Sequence, residues 1–209
     1  MWGDCTDWYS PFKPMTKEAT SRERILEAAC DLFHAQGVSA TGLDQILERS
    51  STGKGQFYHH FAGKEALVLA VLREFHTRIR EGVASSTRKL AGLDDLESWF
   101  MGFVEGQRKG GCRRNCPIAT IGVELQDGQE ELREEARAVF TAGREALTAF
   151  FARLKEQGKL RRTVQPASLA DFCFAIMQGG LLVAKVERRS EPFENAVKQA
   201  MAHVRSLRS

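Results

Sequence analysis

Apolar residues recur along almost the whole chain at intervals of three and four positions, which is the spacing of one face of an α-helix. The longest of these stripes runs from Leu132 to Leu154. No segment shows a convincing alternation of apolar and polar residues, the pattern of a half-buried strand. Glycine, proline and short polar runs divide the stripes into about nine helices. The pattern therefore predicts an all-α protein.

The first three predicted helices are short and are joined by tight turns. The first begins after Thr20, where Glu23 stands in the position that completes a capping box, and it ends at Gly37. The second follows Gly42, and the third begins near Lys54. Longer helices follow, so we expect a small N-terminal module that precedes a larger helical body.

This change in helix length gives the predicted domain organisation. Residues 1–18 form a disordered or extended arm, residues 19–64 form a three-helix module, and residues 65–209 form the helical body. Met15 stands beside Met1 as a candidate for the native start.

Composition alone does not identify a partner. The chain has 209 residues and a formal charge of +3, from 30 Lys and Arg against 27 Asp and Glu. Sequence-independent nucleic-acid binders are far more basic, so an argument for DNA binding has to rest on where the charged groups lie. No apolar run approaches the ~18 residues of a membrane span, and no secretory signal opens the chain. We expect a cytoplasmic protein with no membrane partner.

The five cysteines do not indicate a disulfide framework, because their number is odd and there is no export signal. Cys112 and Cys116 are close in sequence but lack a cluster of His or acidic ligands, so we predict no metal site and no cofactor. A redox-sensitive disulfide between them is left open. Cys30 and Cys173 lie on apolar helix faces and are predicted to be core residues.

The second and third predicted helices have the lengths and the short connecting turn of a helix-turn-helix, whose second helix enters the major groove of DNA. In that helix Phe57 and Phe61 are spaced to face the core. The remaining positions carry groups that can contact base edges or phosphates: Lys54, Gly55, Gln56, Tyr58, His59 and His60. By spacing alone, a solvated polar face and a DNA-reading face are equally supported.

The sequence itself distinguishes these two readings. The run from Arg24 to Leu67, which contains Lys-Gly-Gln-Phe-Tyr-His-His-Phe at 54–61 and Lys-Glu at 64–65, resembles the DNA-binding domain of TetR-family transcriptional repressors. The resemblance implies a homodimer that reads a palindromic site in double-stranded operator DNA. It also implies that the body at 65–209 binds a small-molecule effector and dimerises through its last two helices.

Position by position, the resemblance makes the polar residues of the third helix groove and phosphate contacts. It further implies that Thr41 and Lys64 contact phosphates at the starts of the second and fourth helices. The chain departs from the family pattern before the recognition helix, where Ser-Ser-Thr-Gly at 50–53 replaces the frequent Ala-Gly-Val-Ser.

Cys116 is the second candidate for chemistry. It precedes Pro117, so we expect it at the N-cap of the sixth helix, where backbone N–H groups lower a thiol pKa. Arg113 and Arg114 would add positive potential, whereas the alternative is a small buried residue without a capping role. The segments 116–125 and 184–196 resemble the family members that repress N-ethylmaleimide reductase and respond to electrophiles through a cysteine at this place. Other family members with a similar stretch bind apolar ligands noncovalently.

The effector pocket and the dimer surface are harder to assign. Aromatic and aliphatic residues of the body give the candidate pocket lining Phe100, Phe103, Ile121, Leu125, Phe140 and Met177. Gly179 and Gly180 permit close helix approach, either in the dimer interface or in the core of one subunit.

Two rival functions remain. A cysteine enzyme would need a base within hydrogen-bond reach of Cys116, but His59 and His60 belong to the other module, so no enzyme is predicted. A helical adaptor protein would differ from a repressor by failing to bind any DNA.

Overall fold

A computed structural model describes residues 19–81 and 90–209, and within these ranges the chain forms nine α-helices. The predicted all-α class is therefore confirmed. The predicted arm at 1–18 lies outside the described residues. The helices are α1 (Ser21–Gln36), α2 (Leu43–Ser50), α3 (Lys54–His60), α4 (Lys64–Glu81), α5 (Leu93–Lys109), α6 (Pro117–Gly122), α7 (Glu130–Glu156), α8 (Pro166–Glu187) and α9 (Glu191–Ser206).

The start and the end of α1 follow directly from its sequence. The Glu23 carboxylate accepts hydrogen bonds from the backbone N–H and the hydroxyl of Thr20, at 2.7 and 2.8 Å. The Thr20 hydroxyl in turn accepts from the Glu23 N–H, which completes the predicted capping box. At the other end Gly37 has φ +90°, a backbone conformation that favours glycine.

Two groups of buried side chains hold the helices together. The first, here called the N-terminal core, joins α1 to α4 with α6 and the first half of α7. The second, here called the C-terminal core, joins α5, the second half of α7, α8 and α9. Central members of the N-terminal core are Ile25, Phe33, Ile46, Phe57, Leu72, Ile121 and Val139, and central members of the C-terminal core are Leu96, Phe100, Phe151, Cys173, Leu181 and Phe193. Because α7 contributes to both cores, it is the continuous support between them.

The helix α6 is shorter than the sequence pattern predicts. The helix ends at Gly122, and the next residue, Val123, is exposed to solvent. Leu125 therefore lies in the turn after α6 and not on the helix. The spacing of Ile118, Ile121 and Leu125, followed by Asp127-Gly128, predicts a helix that continues as far as residue 127, and this prediction is wrong. The cause is local, because the N–H groups of Glu124 and Leu125 are bonded to Ile121 and Gly122 in tight turns.

By length and composition alone, the helix α8 is long and apolar enough to cross a membrane. Core helices of soluble proteins have the same composition. One side of α8 packs against α7 and α9 within the C-terminal core, and Asp171 and Lys185 interrupt its apolar run.

Candidate nucleic-acid interface and sensor cysteine

The recognition helix α3 is fixed by its apolar side. Phe57 and Phe61 are buried in the N-terminal core with their ring centroids 5.7 Å apart. The Gln56 side-chain oxygen accepts from the Gly53 N–H at 3.1 Å and so caps the first turn. The helix is therefore rigidly mounted although it has only 7 residues.

The opposite side of α3 is polar and open to solvent. Tyr58 is 59% exposed, whereas its neighbour Phe57 is 1% exposed. The structure brings four other predicted contact residues onto the same exposed surface: Lys54, Gly55, Gln56 and His59. Lys54 lies 3.6 Å from Asp44, but both side chains are largely exposed and such pairs contribute little. Lys54 therefore remains available to an external anion.

Two predicted contact residues are placed differently. Thr41 is only 1% exposed, and its hydroxyl donates to the Gly37 carbonyl at 2.6 Å. Its side chain supports the α1–α2 turn, so its predicted role as a phosphate contact does not fit the structure. His60 is half-buried, and its Nε2 is hydrogen-bonded to the Ser21 hydroxyl at 2.8 Å. Of the two adjacent histidines, only His59 faces solvent fully.

The turn before α3 is built from the residues that depart from the family pattern. Ser51 adopts the left-handed conformation at φ +51°, where glycine is usual. The hydroxyls of Ser50 and Thr52 are hydrogen-bonded to each other at 2.7 Å. These internal bonds give Ser50 and Thr52 a structural role in the turn.

Lys64, the first residue of α4, lies at the border between the two modules. It lines a cleft of about 270 Å³ together with Ile121 and Leu125, two of the predicted effector residues. Glu124 belongs to the same cleft, and its carboxylate accepts from the Ser39 N–H at 2.7 Å. Glu124 thus connects the segment after α6 to the α1–α2 turn, a link that no local sequence pattern predicts.

The six predicted pocket residues are divided between the two cores. Phe100 and Met177 are buried in the C-terminal core, and Phe103 packs edge-on against Trp99 at 5.1 Å. Phe140 packs against the N-terminal core, with its ring 5.3 Å from that of Phe174. Their shared role as the lining of an effector pocket stays a prediction.

Cys116 occupies the predicted N-cap position of α6, but the electrostatic prediction is wrong. Burial raises the pKa of its thiol above the ordinary value, and this outweighs the N–H groups of Ala119 and Ile118 and the side chain of Gln178, which favour the thiolate. No side-chain hydrogen bond of ordinary geometry caps the helix. Cys116 contacts both the N-terminal and the C-terminal core.

The other cysteines separate into clear classes. Cys30 and Cys173 are buried core residues, as predicted, and burial raises the pKa of both thiols. Cys112 is a buried free thiol. The disulfide left open above is absent here, since Cys112 and Cys116 are both free.

Near Cys116 lie polar side chains that the sequence pattern did not predict. His34 is buried, its Nε2 donates to the Asn115 carbonyl, and burial lowers its pKa to about 4. The Asn115 and Gln178 side-chain oxygens are buried without a hydrogen-bond partner in the described part of the chain. The sequence does carry a signal for His34, since Leu26, Cys30 and His34 follow one another at four-residue intervals on a buried face.

The outer face of α8 is apolar and uncovered. It exposes Phe172, Leu182, Val183 and Val186, the last of them to 73%. The glycine pair divides between the two faces. At Gly180 a Cβ atom would lie 1.9 Å from the Phe193 ring of α9, whereas at Gly179 nothing lies within 4 Å. Of these two glycines, only Gly180 is therefore needed for the close approach of α8 and α9 within one subunit.

A short polar helix mounted on a three-helix module, joined to a larger helical body, defines a helix-turn-helix DNA-binding regulator. Comparison with known proteins identifies the family. Residues 25–71 match the family "Bacterial regulatory proteins, tetR family", and residues 92–200 match "Tetracyclin repressor-like, C-terminal domain". The chain belongs to the TetR family of transcriptional regulators, and the predicted resemblance is confirmed.

Individual relatives agree with this assignment. The repressor DhaR of Mycobacterium sp. (strain GP1) is 29% identical over 175 residues, 83% of this chain and 86% of that protein. The repressor NemR of Escherichia coli (strain K12) is 26% identical over 198 residues, 91% of this chain and 94% of that protein. The crystal structure of reduced E. coli NemR superposes with a TM-score of 0.73, covering 90% of this chain and 98% of that one.

The family assignment confirms that this protein is a DNA-binding repressor and not an enzyme. Regulators of this family bind operator DNA and typically dimerise and bind small-molecule ligands.

Proposed function

We propose that the protein is a cytoplasmic homodimeric repressor that reads a palindromic operator with α3 and is released by an inducer acting beside Cys116. One observation carries the DNA-reading surface. The α3 helix buries Phe57 and exposes Lys54, Gln56, Tyr58 and His59 on one continuous face. These side chains can pair with base edges and phosphate oxygens in a major groove. Gly55 adds no side chain at this surface, which permits close approach.

The operator test is a binding titration against the DNA upstream of the gene at several salt concentrations. We expect Lys54→Ala to lower the slope of log K against log salt by about one unit, because one phosphate contact is lost. Lys64→Ala tests the second predicted cation in the same way. Lys159→Ala is the matched control, since Lys159 is an exposed lysine near the end of α7. If the slope falls as much in the Lys159→Ala control, or does not fall in either test variant, Lys54 and Lys64 are not phosphate contacts.

The outer face of α8 supports dimerisation. Its exposed apolar residues follow a helical spacing, and Gly179 leaves room for a second helix. The Phe172 ring packs edge-on against His203 of α9 at 5.4 Å, which joins the exposed surfaces of the two helices. We therefore place the twofold axis at α8 and α9, so that two α3 helices enter successive major grooves about 34 Å apart.

The dimer test is the solution mass of Val186→Glu, which places a charge at the most exposed apolar residue of this face. We expect a monomer at concentrations where the wild type is a dimer, because a buried unpaired carboxylate is costly. Val123→Glu provides the control, since Val123 is 83% exposed but lies behind α6. A dimeric Val186→Glu protein contradicts the interface.

The proposed inducer site is supported by the position of Cys116 between the two cores. Movement of α6 changes the contacts of both cores, because Cys116 packs against each of them. The unpartnered oxygens of Asn115 and Gln178 supply buried acceptors for a ligand beside the thiol. An electrophile that reaches the site adds covalently, and the raised pKa makes the thiol slower at neutral pH than an exposed one.

N-ethylmaleimide is the probe for this step. The Cys116 sulfur forms a bond to one alkene carbon, the carbon–carbon π bond breaks, and the other carbon takes a proton in place of the one lost by the thiol. We expect operator release in the wild type and in Cys112→Ser, whose thiol is buried, but not in Cys116→Ser. Equal release in all three proteins would favour a noncovalent ligand and a structural Cys116.

A further inference from the structure

A second cleft lies where the end of α1 meets the body. It is lined by Ala35 of α1, by Gly111, Arg113 and Arg114 from the α5–α6 loop, and by Arg188 at the end of α8. We refer to these five residues as the arginine cleft. Its volume of about 790 Å³ falls within the range of ~300–1,000 Å³ typical of small-molecule sites.

The three guanidinium groups of the arginine cleft have no anionic partner within the described residues, and no carboxylate belongs to the lining. Arg114 is half-buried, and its backbone carbonyl rather than its guanidinium is hydrogen-bonded, to the Gln107 side chain at 2.9 Å. Like charges held near one another without a counter-ion repel, so an anion entering the cleft offsets this repulsion.

The acids around the cleft are mostly engaged elsewhere. Asp31 is paired with Arg49 at 2.6 Å, and Glu187 is paired with Arg189 at 2.7 Å. Glu191 is exposed and acts electrostatically on Cys112 together with Arg188, but it does not line the cleft. The net potential in the cleft therefore remains positive.

The loop that carries two of the arginines is held in place. The Cys112 N–H donates to the Gln107 carbonyl at 2.7 Å, and the Asn115 carbonyl accepts from the buried His34 ring. Gly111 and Cys112 both have positive φ, which turns the loop back towards α1. A loop fixed in this way loses little conformational freedom when a ligand binds.

We propose that the arginine cleft binds a small polyanion, a molecule with several phosphate or carboxylate oxygens, at a site separate from the DNA-reading surface. Arginine forms paired, directional hydrogen bonds with such oxygens. Operator DNA is not the occupant. Ala35 lies at the opposite end of α1 from Ser21, which touches His60 of the recognition helix, and 14 residues of helix separate them by about 21 Å.

Inorganic pyrophosphate is the probe, titrated calorimetrically into the full chain at low ionic strength without DNA. We expect one saturable site per chain. Arg114→Gln and Arg188→Asn, on two different elements, should each weaken binding about tenfold, because each removes charge-assisted hydrogen bonds. Arg114→Lys should retain part of the affinity, since it keeps the charge but loses the paired geometry.

The control is Arg162→Gln, which removes one exposed arginine outside the cleft. Unsaturable binding, or equal weakening in the control, overturns the proposal. Operator titrations of the same variants without pyrophosphate separate it from DNA binding. A salt slope lowered by about one unit per cleft arginine would assign these residues to the operator surface instead and also overturn the proposal. Since the pyrophosphate titration contains no DNA, its result is independent of the proposed operator.

Discussion

The N-terminal and C-terminal cores bury similar kinds of side chain, but the helices that cover them expose surfaces of different chemistry, one polar and one apolar. Beside the N-terminal core, α3 buries Phe57 and presents polar groups and Tyr58 to solvent. Around the C-terminal core, α8 buries one apolar face and exposes another. The surface beside the N-terminal core is equipped for a polar partner, whereas the surface beside the C-terminal core is apolar and suited to a second copy of the chain.

This difference separates the two functions physically. A recognition helix has to keep charged and hydrogen-bonding groups hydrated until DNA replaces the water, so its outward residues contribute little to folding. The helices around α8 instead fit one another closely on the inner side, as Gly180 against Phe193 demonstrates. Substitutions should therefore affect stability strongly in the C-terminal core and weakly on α3.

The largest expected effect comes from the same substitution made in both regions. Gly180→Ala places a methyl group where the buried Phe193 ring lies, and we expect a loss of about 3 kcal/mol in the free energy of unfolding. Gly55→Ala meets no atom within 4 Å and should raise the free energy of unfolding by up to about 1 kcal/mol. Urea unfolding of both variants measures the difference, and equal changes would remove the contrast between the two regions.

The junction between the cores should give a smaller, pH-dependent effect. His34 is buried as the neutral ring with a pKa of about 4, whereas the unfolded chain titrates near 6.5. The unfolded state therefore binds the proton first, and stability falls as the pH drops from about 6.5 towards 4. Protonation of the unfolded chain over this range therefore lowers the free energy of unfolding by about 2 kcal/mol between pH 7 and pH 5.

The measurement is the difference in free energy of unfolding between wild type and His34→Gln at the two pH values. Glutamine keeps a donor for the Asn115 carbonyl but does not titrate. The control is His59→Gln, which removes an exposed histidine of α3 away from the junction and from the proposed dimer surface, and this variant should keep the difference in stability that the wild type shows between the two pH values. A wild type and a His34→Gln protein with the same pH dependence would contradict the role of His34.

Local chemistry explains what could be predicted from the sequence. The capping box of Thr20 and Glu23 involves residues three positions apart, and the stripe of α7 depends on its own periodicity, so both are visible without tertiary information. The exposed face of α3 follows in the same way, once Phe57 and Phe61 are assigned to the core.

Tertiary contacts explain what could not be predicted. The pKa of Cys116 depends on how deeply the thiol is buried between two cores, and burial there outweighs the helix terminus. The environment of Thr41 depends on the Gly37 carbonyl, and the arginine cleft joins residues more than seventy positions apart in the chain. A single sequence specifies which face of a helix is buried but not which neighbour covers it.

The smallest expected effect tests the turn that positions α3. Ser51 holds a left-handed conformation that costs a non-glycine residue about 1 kcal/mol or more, whereas glycine adopts it freely but loses more entropy on folding. We expect Ser51→Gly to raise the free energy of unfolding by about 0.5 kcal/mol, as the net of these terms.

Ser39→Gly is the matched control, because Ser39 is an exposed serine without positive φ, and its backbone N–H to Glu124 is kept. At Ser39 glycine relieves no strain and only increases the entropy lost on folding, so the free energy of unfolding should fall by about 0.5 kcal/mol. Urea unfolding of the two variants side by side resolves a difference of about 1 kcal/mol between them. If Ser51→Gly is no more stable than Ser39→Gly, the turn before α3 does not hold its serine in the left-handed conformation in solution, and the mounting of the recognition helix differs from the one described.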